Sequence, residues 1–351
     1  MSHGAVAVQT VCGTVSSDAL GFTLPHEHLL NDMASGNLQP DPLHPDLLDR
    51  KVTPELAWIL REHPYGCRDN CGLDSVDDAI DECSHFRGLG GGTVIEVTPQ
   101  GQGRDRLSLR KISQESGVTI ISGGGWYLEQ FHPDETRVDD IDELVDMLYE
   151  DYVNPSDGIA SGVIGEIGIS PRMTEREIKS LRAACRLQRR IHLPMYVHLP
   201  GWTKLARDVI RIALDEEEVP PRALCLCHMD PSGDDPEYQL ELASSGAHLE
   251  FDMLGMPYNY RYPGEGQSPS PAETTVAVKR LIDNGYAHSL LFSHDMFLKS
   301  MLRKNGGNGL SYVFEFLERL AIAGIDPAII HSVNTENVRE FFELSMDAEE
   351  D

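Results

Sequence analysis

No stretch of this chain reaches the roughly 18 consecutive apolar residues of a membrane span, and residues 1–20 lack the basic start and apolar block of a secretory leader. The expectation is a cytoplasmic chain with no membrane partner. Positive charge is also scarce, with 29 Lys and Arg against 57 Asp and Glu and a formal net charge of −28. A surface of that sign repels phosphate backbones and anionic lipid, which excludes nucleic acid as a partner. Cysteine is sparse, scattered and odd in number at seven, so a disulfide framework is not expected. Only Cys67, Cys71 and Cys83 cluster, and a zinc site there would need His63 or His85 as a further ligand at a spacing that fits no common finger. Also missing is the glycine-rich turn that follows the first strand of a nucleotide-binding doubly wound sheet.

What the chain does hold is a rhythm. Hydrophobic residues make up 40% of its 351 positions, enough for a sizeable core. Residues 6–15 read as a small hairpin, after which short Val- and Ile-rich runs alternate with longer amphipathic stretches. The runs are 21–28, 93–98, 118–123, 162–168, 194–198, 223–228, 248–252 and 289–295, and helical patterns such as 175–191, 203–218 and 236–245 lie between them. Strand–helix alternation implies a parallel sheet, and eight units predict an α/β fold of the (β/α)8 TIM barrel type, a single domain over residues 1–351. An open doubly wound sheet is the runner-up. Two connections break the rhythm: 31–90, which carries the cysteine cluster, and 254–275, rich in Pro, Gly and Tyr. Connections of that length in a compact domain are expected to be lids or binding loops. The acidic tail 346–351 reads as frayed.

Barrel enzymes keep their chemistry at the C-terminal ends of the strands. The first strand ends Leu24-Pro25-His26-Glu27-His28, and on an extended strand His26 and His28 point the same way while Glu27 faces the other side. The fourth carries Glu166 inside an apolar run, a costly place for a carboxylate unless it is paired or bound to metal. The fifth, sixth and eighth end in His198, His228 and His294-Asp295. Any one of these is commonly a hydrogen-bonded core histidine or a helix cap. Together, His26, His28, Glu166, His198, His228 and Asp295 make the donor set of a two-metal site, with Glu166 able to bridge ions about 3.5–4 Å apart.

At these residues the chain resembles the phosphotriesterase-related branch of the amidohydrolase superfamily, from about Thr10 to Phe342. The matching stretches are Gly21-Phe22-Thr23-Leu24-Pro25-His26-Glu27-His28, Gly90-Gly91-Gly92-Thr93-Val94-Ile95-Glu96-Val97-Thr98, Gly165-Glu166-Ile167-Gly168 and Gly306-Gly307-Asn308-Gly309-Leu310-Ser311. The resemblance implies that His26, His28 and Asp295 hold the more buried ion and His198 and His228 the more exposed one. It also implies a homodimer. The bridging position, a carboxylated lysine in organophosphate-hydrolysing members, is Glu166 here. Two divalent ions, zinc first and manganese, iron or cobalt after it, would activate a water toward a carbonyl or phosphoryl centre. Asp295, His228 and Glu166 are the candidate catalytic residues, with Asp295 accepting the proton. His294 is expected to point away, and Asp230 to orient a ligand histidine or relay a proton.

Pocket walls are expected from Trp126 and Tyr127 after the third strand and from Tyr258, Tyr260 and Tyr262 in the 254–275 connection. The run Lys299-Ser300-Met301-Leu302-Arg303-Lys304 concentrates cations in an acidic chain. With Arg261, Lys299 and Arg303 are the candidates for holding an anionic group of a small-molecule substrate; the bland reading is a solvated face. Three functions stay open. The chain is a two-metal hydrolase of lactones or esters, phosphoesters included, or an amidohydrolase of a small N-acyl amide, or a non-catalytic binding protein on the same barrel.

Overall fold

The computed structural model describes residues 4–261 and 264–346; Tyr262 and the tail after Met346 lie outside it. Eight parallel strands carry the fold: β1 (Phe22–Glu27), β2 (Gly91–Glu96), β3 (Thr119–Gly124), β4 (Val163–Gly168), β5 (Met195–His198), β6 (Leu224–Leu226), β7 (His248–Phe251) and β8 (Leu290–Phe292). Each pairs with the next in chain order. All eight overlap the expected runs and six lie inside them; β2 begins two residues before its run and β3 ends one residue after. The seam between β8 and β1 is drawn together by the Asp295 N–H donating to His26 O at 3.3 Å and the His26 N–H donating to Ser293 Oγ at 3.1 Å. At its other end Asn334 donates to both Thr23 O and Phe292 O at 2.8 Å. The result is a nearly closed (β/α)8 barrel.

The strand residues pointing inward, among them Ile95, Val97, Ile121, Val163, Tyr196, Cys225 and Leu291, form one apolar cluster. Val338, Phe341 and Phe342 of the last helix, Glu336–Met346, complete that cluster. The opposite strand faces pack under the surrounding helices in a second, larger core. The helix Glu175–Ile191 matches its expected bounds, because Thr174 and Glu177 form a capping box that sets its start. Pro236–Ser244 starts on the Asp235 cap, and the 203–218 pattern resolves into Ala206–Ile210 followed by a π-helical stretch Arg211–Glu216. The hairpin of Ala7–Thr10 and Gly13–Ser16 precedes the barrel.

Among the described residues the cysteines are not gathered with His63 or His85 into a set of metal donors. Cys67, Cys71 and Cys83 are buried free thiols, and Cys67 packs in a different cluster from the other two. Apolar neighbours claim these small side chains.

His248, which opens β7, is fully buried against Phe341, ring centroids 4.5 Å apart. Neither ring nitrogen finds a well-formed partner among the described residues, and burial, helped by Arg222 and His288, pushes its pKa down to about 3. An unfolded histidine titrates near 6.5, so below that value the unfolded chain takes up a proton the native chain refuses. Stability from this group is intact above about pH 6.5 and lost at about 1.4 kcal/mol per unit as pH falls toward 3. Urea unfolding at a series of acidic pH values should therefore show a steeper loss in the wild type than in His248→Leu. Equal slopes would place the proton uptake on other groups.

Candidate metal centre

Each expected donor reaches the barrel rim from a strand end. His26 Nε2 lies 3.7 Å from Glu166 Oε2 and 3.8 Å from Asp295 Oδ1. His28 Nε2 is 3.6 Å from Glu166 Oε1 and 3.2 Å from Asp295 Oδ1. On the other side of Glu166, Oε2 stands 3.2 Å from His198 Nδ1 and 3.6 Å from His228 Nε2. Two donor sets result, His26–His28–Glu166 and Glu166–His198–His228, the donor atoms of each within 4.8 Å of one another. Glu166 belongs to both. Burial resists its ionisation, but hydrogen bonds from His198 and His228 and the charge of His198 and His26 prevail and hold it well below the ordinary carboxylate range.

The donors are held by a further layer of carboxylates. His26 Nδ1 is 2.9 Å from Glu250 Oε2. Asp252 meets His228 twice, Oδ1 at 2.8 Å from Nδ1 and Oδ2 at 2.9 Å from the backbone N–H. His28 Nδ1 contacts Thr98 Oγ at 2.8 Å, and that hydroxyl donates to Glu96 at 2.5 Å. Such partners fix which ring nitrogen is free to bind and which way it points. For His26, burial opposes protonation, yet Glu250, Glu166 and Asp252 together push its pKa up to about 10. His228 and Asp295 take left-handed backbone conformations, φ 58° and 50°, uncommon for such residues and typical of functional sites.

Sequence reasoning missed Glu250 and Asp252, although His248-Leu249-Glu250-Phe251-Asp252 carried the signal. Two acids at strand spacing in an apolar run face the same way. Asp252 takes the orienting role expected of Asp230. The Asp230 carboxyl sits at the start of the turn Pro231–Asp234, accepts the Met253 N–H at 3.2 Å and touches Thr274 Oγ at 3.4 Å. Burial first and Asp252 second push its pKa to about 8. His294 turns away as expected, with Nδ1 2.7 Å from Glu27 and Nε2 accepting the Val313 N–H at 2.9 Å.

The wall residues divide. The Tyr127 hydroxyl lies 3.3 Å from the His198 ring nitrogens, at the centre. Trp126 instead lines a crevice with His132, Arg176 and Lys179. Tyr258 is buried with its hydroxyl 2.7 Å from Ser300. Tyr65 and Phe297, also unforeseen, join Tyr260 to His28 through ring contacts of 5.6, 6.4 and 6.5 Å. Each rim cation has a carboxylate partner. Lys299 is 3.1 Å from Asp69 and 2.7 Å from Asp74, Arg303 is 2.9 Å from Glu82 and 2.8 Å from Asp81, and Arg261 is 3.2 Å from Glu62. Glu265 was not foreseen at all. Its Oε2 is buried without a hydrogen-bond partner, burial pushes its pKa to about 7, and its charge is felt at Tyr65, Tyr127 and Tyr260.

A barrel whose rim carries two donor sets joined by one carboxylate has the architecture of a metal-dependent hydrolase of the amidohydrolase type. The chain belongs to the phosphotriesterase family, whose family model matches residues 6–342. It is 31% identical over 346 residues to an N-acetyltaurine hydrolase of Bos taurus, covering 97% of this chain and 99% of that one. To the N-acetyltaurine hydrolase of Danio rerio it is 32% identical over 339 residues, covering 95% and 97%. Among solved structures, a resiniferatoxin-binding protein from Rhodobacter sphaeroides superposes with TM-score 0.93 at 40% identity, covering 97% of this chain and 96% of that one. A lactonase from Listeria monocytogenes shares the fold, with TM-score 0.76 at 22% identity over 96% and 99% of the two chains. The chain is a hydrolase of this family, acting on small molecules. None of its described helices is long and apolar enough to cross a membrane.

Proposed function

We propose that this protein hydrolyses the amide bond of a small N-acyl amine. The carrying observation is the full-length similarity to N-acetyltaurine hydrolases, at 31% and 32% identity, in a chain with the complete donor set. His26, His28 and Asp295 would hold one divalent ion and His198 and His228 the other, with Glu166 shared. The residues fit such a pair: His26 Nε2 is buried and has no hydrogen-bond partner, though it faces two carboxylates. Imidazole and carboxylate donors suit zinc first. When bound, the pair acidifies a water and polarises the acyl oxygen.

The chain's own groups supply the rest. Asp295 takes the proton of the attacking water, and the Tyr127 hydroxyl steadies the acyl oxygen. An amide expels a poor leaving group unless its nitrogen is protonated. Glu265, an acid with a pKa of about 7 near His228 and Tyr127, is suited to deliver that proton. This favours the amide over the lactone. An anionic substrate group would exchange with Asp74, whose side chain is 72% exposed, for Lys299, while Arg261 and Arg303 extend the same rim. A cytoplasmic homodimer completes the reading.

The test is product mass after incubating metal-loaded protein with matched N-acyl amides, lactones and phosphotriesters, each with and without a remote anion. Amide cleavage well above the other classes is the expected result, and stronger cleavage of the anionic amide would support the rim cations. Lactone cleavage with intact amides would overturn the reading.

A further inference from the structure

The long first connection carries a set of metal-type donors that shares no residue with the rim centre. Asp41, His44 and His63 bring three donor atoms within 4.8 Å of one another. Three local structures put them there. Asp41 closes a turn, its Oδ1 accepting the Leu43 N–H at 2.8 Å. His44 precedes the 3-10 turn Pro45–Leu47, and His63 ends the helix Ala57–Glu62 with its N–H on Ile59 O at 2.9 Å. The His44 and His63 rings meet edge to face at 5.6 Å.

The Asp41 carboxylate is the telling group. Its side chain is 5% exposed, and Oδ2 accepts no hydrogen bond although His63 Nδ1 stands 2.9 Å away, because the ring N–H is out of line. A buried carboxylate oxygen left without a hydrogen bond costs free energy that a cation held between it and the neighbouring imidazoles would recover. We propose that Asp41, His44 and His63 bind a third divalent ion of the zinc class, with water completing the coordination on the half-exposed His44 side. Two imidazoles beside one carboxylate select zinc, cobalt, nickel or copper over magnesium and calcium.

The place suits a clip. Leu47, Val52, Leu56, Ile59, Leu60 and Cys67 form a small core of their own, separate from the barrel's. A satellite core of that size holds its segment weakly, and an ion joining residue 41 to residue 63 closes it. The effect reaches the pocket. The Gln39 N–H donates to Tyr65 O at 2.8 Å, and the Tyr65 ring packs 5.6 Å from Tyr260 in the wall described above. The three residues are positioning residues through Tyr65, and the ion is structural.

Trp58 provides the readout, since its ring lies 6.2 Å from that of His44. Co2+ is titrated into the full chain, with bound ion per chain from equilibrium dialysis and tryptophan emission followed together. The expected result is three Co2+ per wild-type chain and two in His44→Ala, with quenching that disappears in both His44→Ala and Trp58→Phe. Asp41→Asn, which keeps the shape of the side chain, should behave as His44→Ala does. Two Co2+ per chain in wild type and variants alike, with no quenching assignable to Trp58, would overturn the proposal and leave Asp41 and His63 a plain ion pair. Uptake of the third ion only at millimolar Co2+ would overturn it too. None of these readouts depends on the substrate.

Discussion

Glu166→Ala should leave the barrel folded, remove at least one divalent ion per chain and lower kcat/KM by about a thousandfold or more. Glu166 alone belongs to both donor sets, with Oε2 3.2 Å from His198 and Oε1 3.6 Å from His28. Without it, four histidines and Asp295 remain, and no residue is common to both donor sets. An ion pair of this kind contributes several kcal/mol to stabilising charge in the transition state, and each 1.36 kcal/mol is tenfold in rate. Metal per chain and kcat/KM on the best amide, with near-ultraviolet circular dichroism as the check on folding, measure the effect. Two ions retained with activity within a few-fold of wild type would remove Glu166 from the centre.

Asp252→Ala should act differently. Asp252 touches no expected ion; it holds the His228 ring at 2.8 Å and the His228 N–H at 2.9 Å, and lies 3.6 Å from His26 Nδ1. Its loss frees the His228 ring to turn and weakens one support of His26, and losing such a partner costs about 10- to 100-fold in metal affinity or activity. The ligands themselves survive, so excess metal should restore most of kcat in Asp252→Ala and none in Glu166→Ala. That contrast separates a positioning role from a shared ligand. Failure of excess metal to rescue Asp252→Ala, with its fold intact, would move Asp252 into the chemistry itself.

Much of the site was legible because β-strands alternate. His26 and His28, two apart, had to share a face, and a carboxylate embedded in Val163-Ile164-Gly165-Glu166-Ile167 had to find a partner. Glu250 and Asp252 obeyed the same rule and were passed over, since a carboxylate on β7 has no meaning until β1 and β6 bring His26 and His228 beside it. Lys299 and Arg303 show the opposite limit. Their spacing marked them as a cationic patch, but their partners Asp69, Asp74, Asp81 and Glu82 lie more than 200 positions away in the chain.

By itself the sequence determined the strand count, the inward histidines and the acidic surface, because these follow from periodicity and composition. Only the tertiary structure decided which acid orients which histidine, that Glu265 buries an unpartnered oxygen within electrostatic reach of Tyr65, Tyr127 and Tyr260, and that His63 turns to Asp41 and His44 rather than to the cysteines. Those choices depend on which connections cover the barrel mouth and how. Covering is a matter of long-range packing, and no local pattern encodes it.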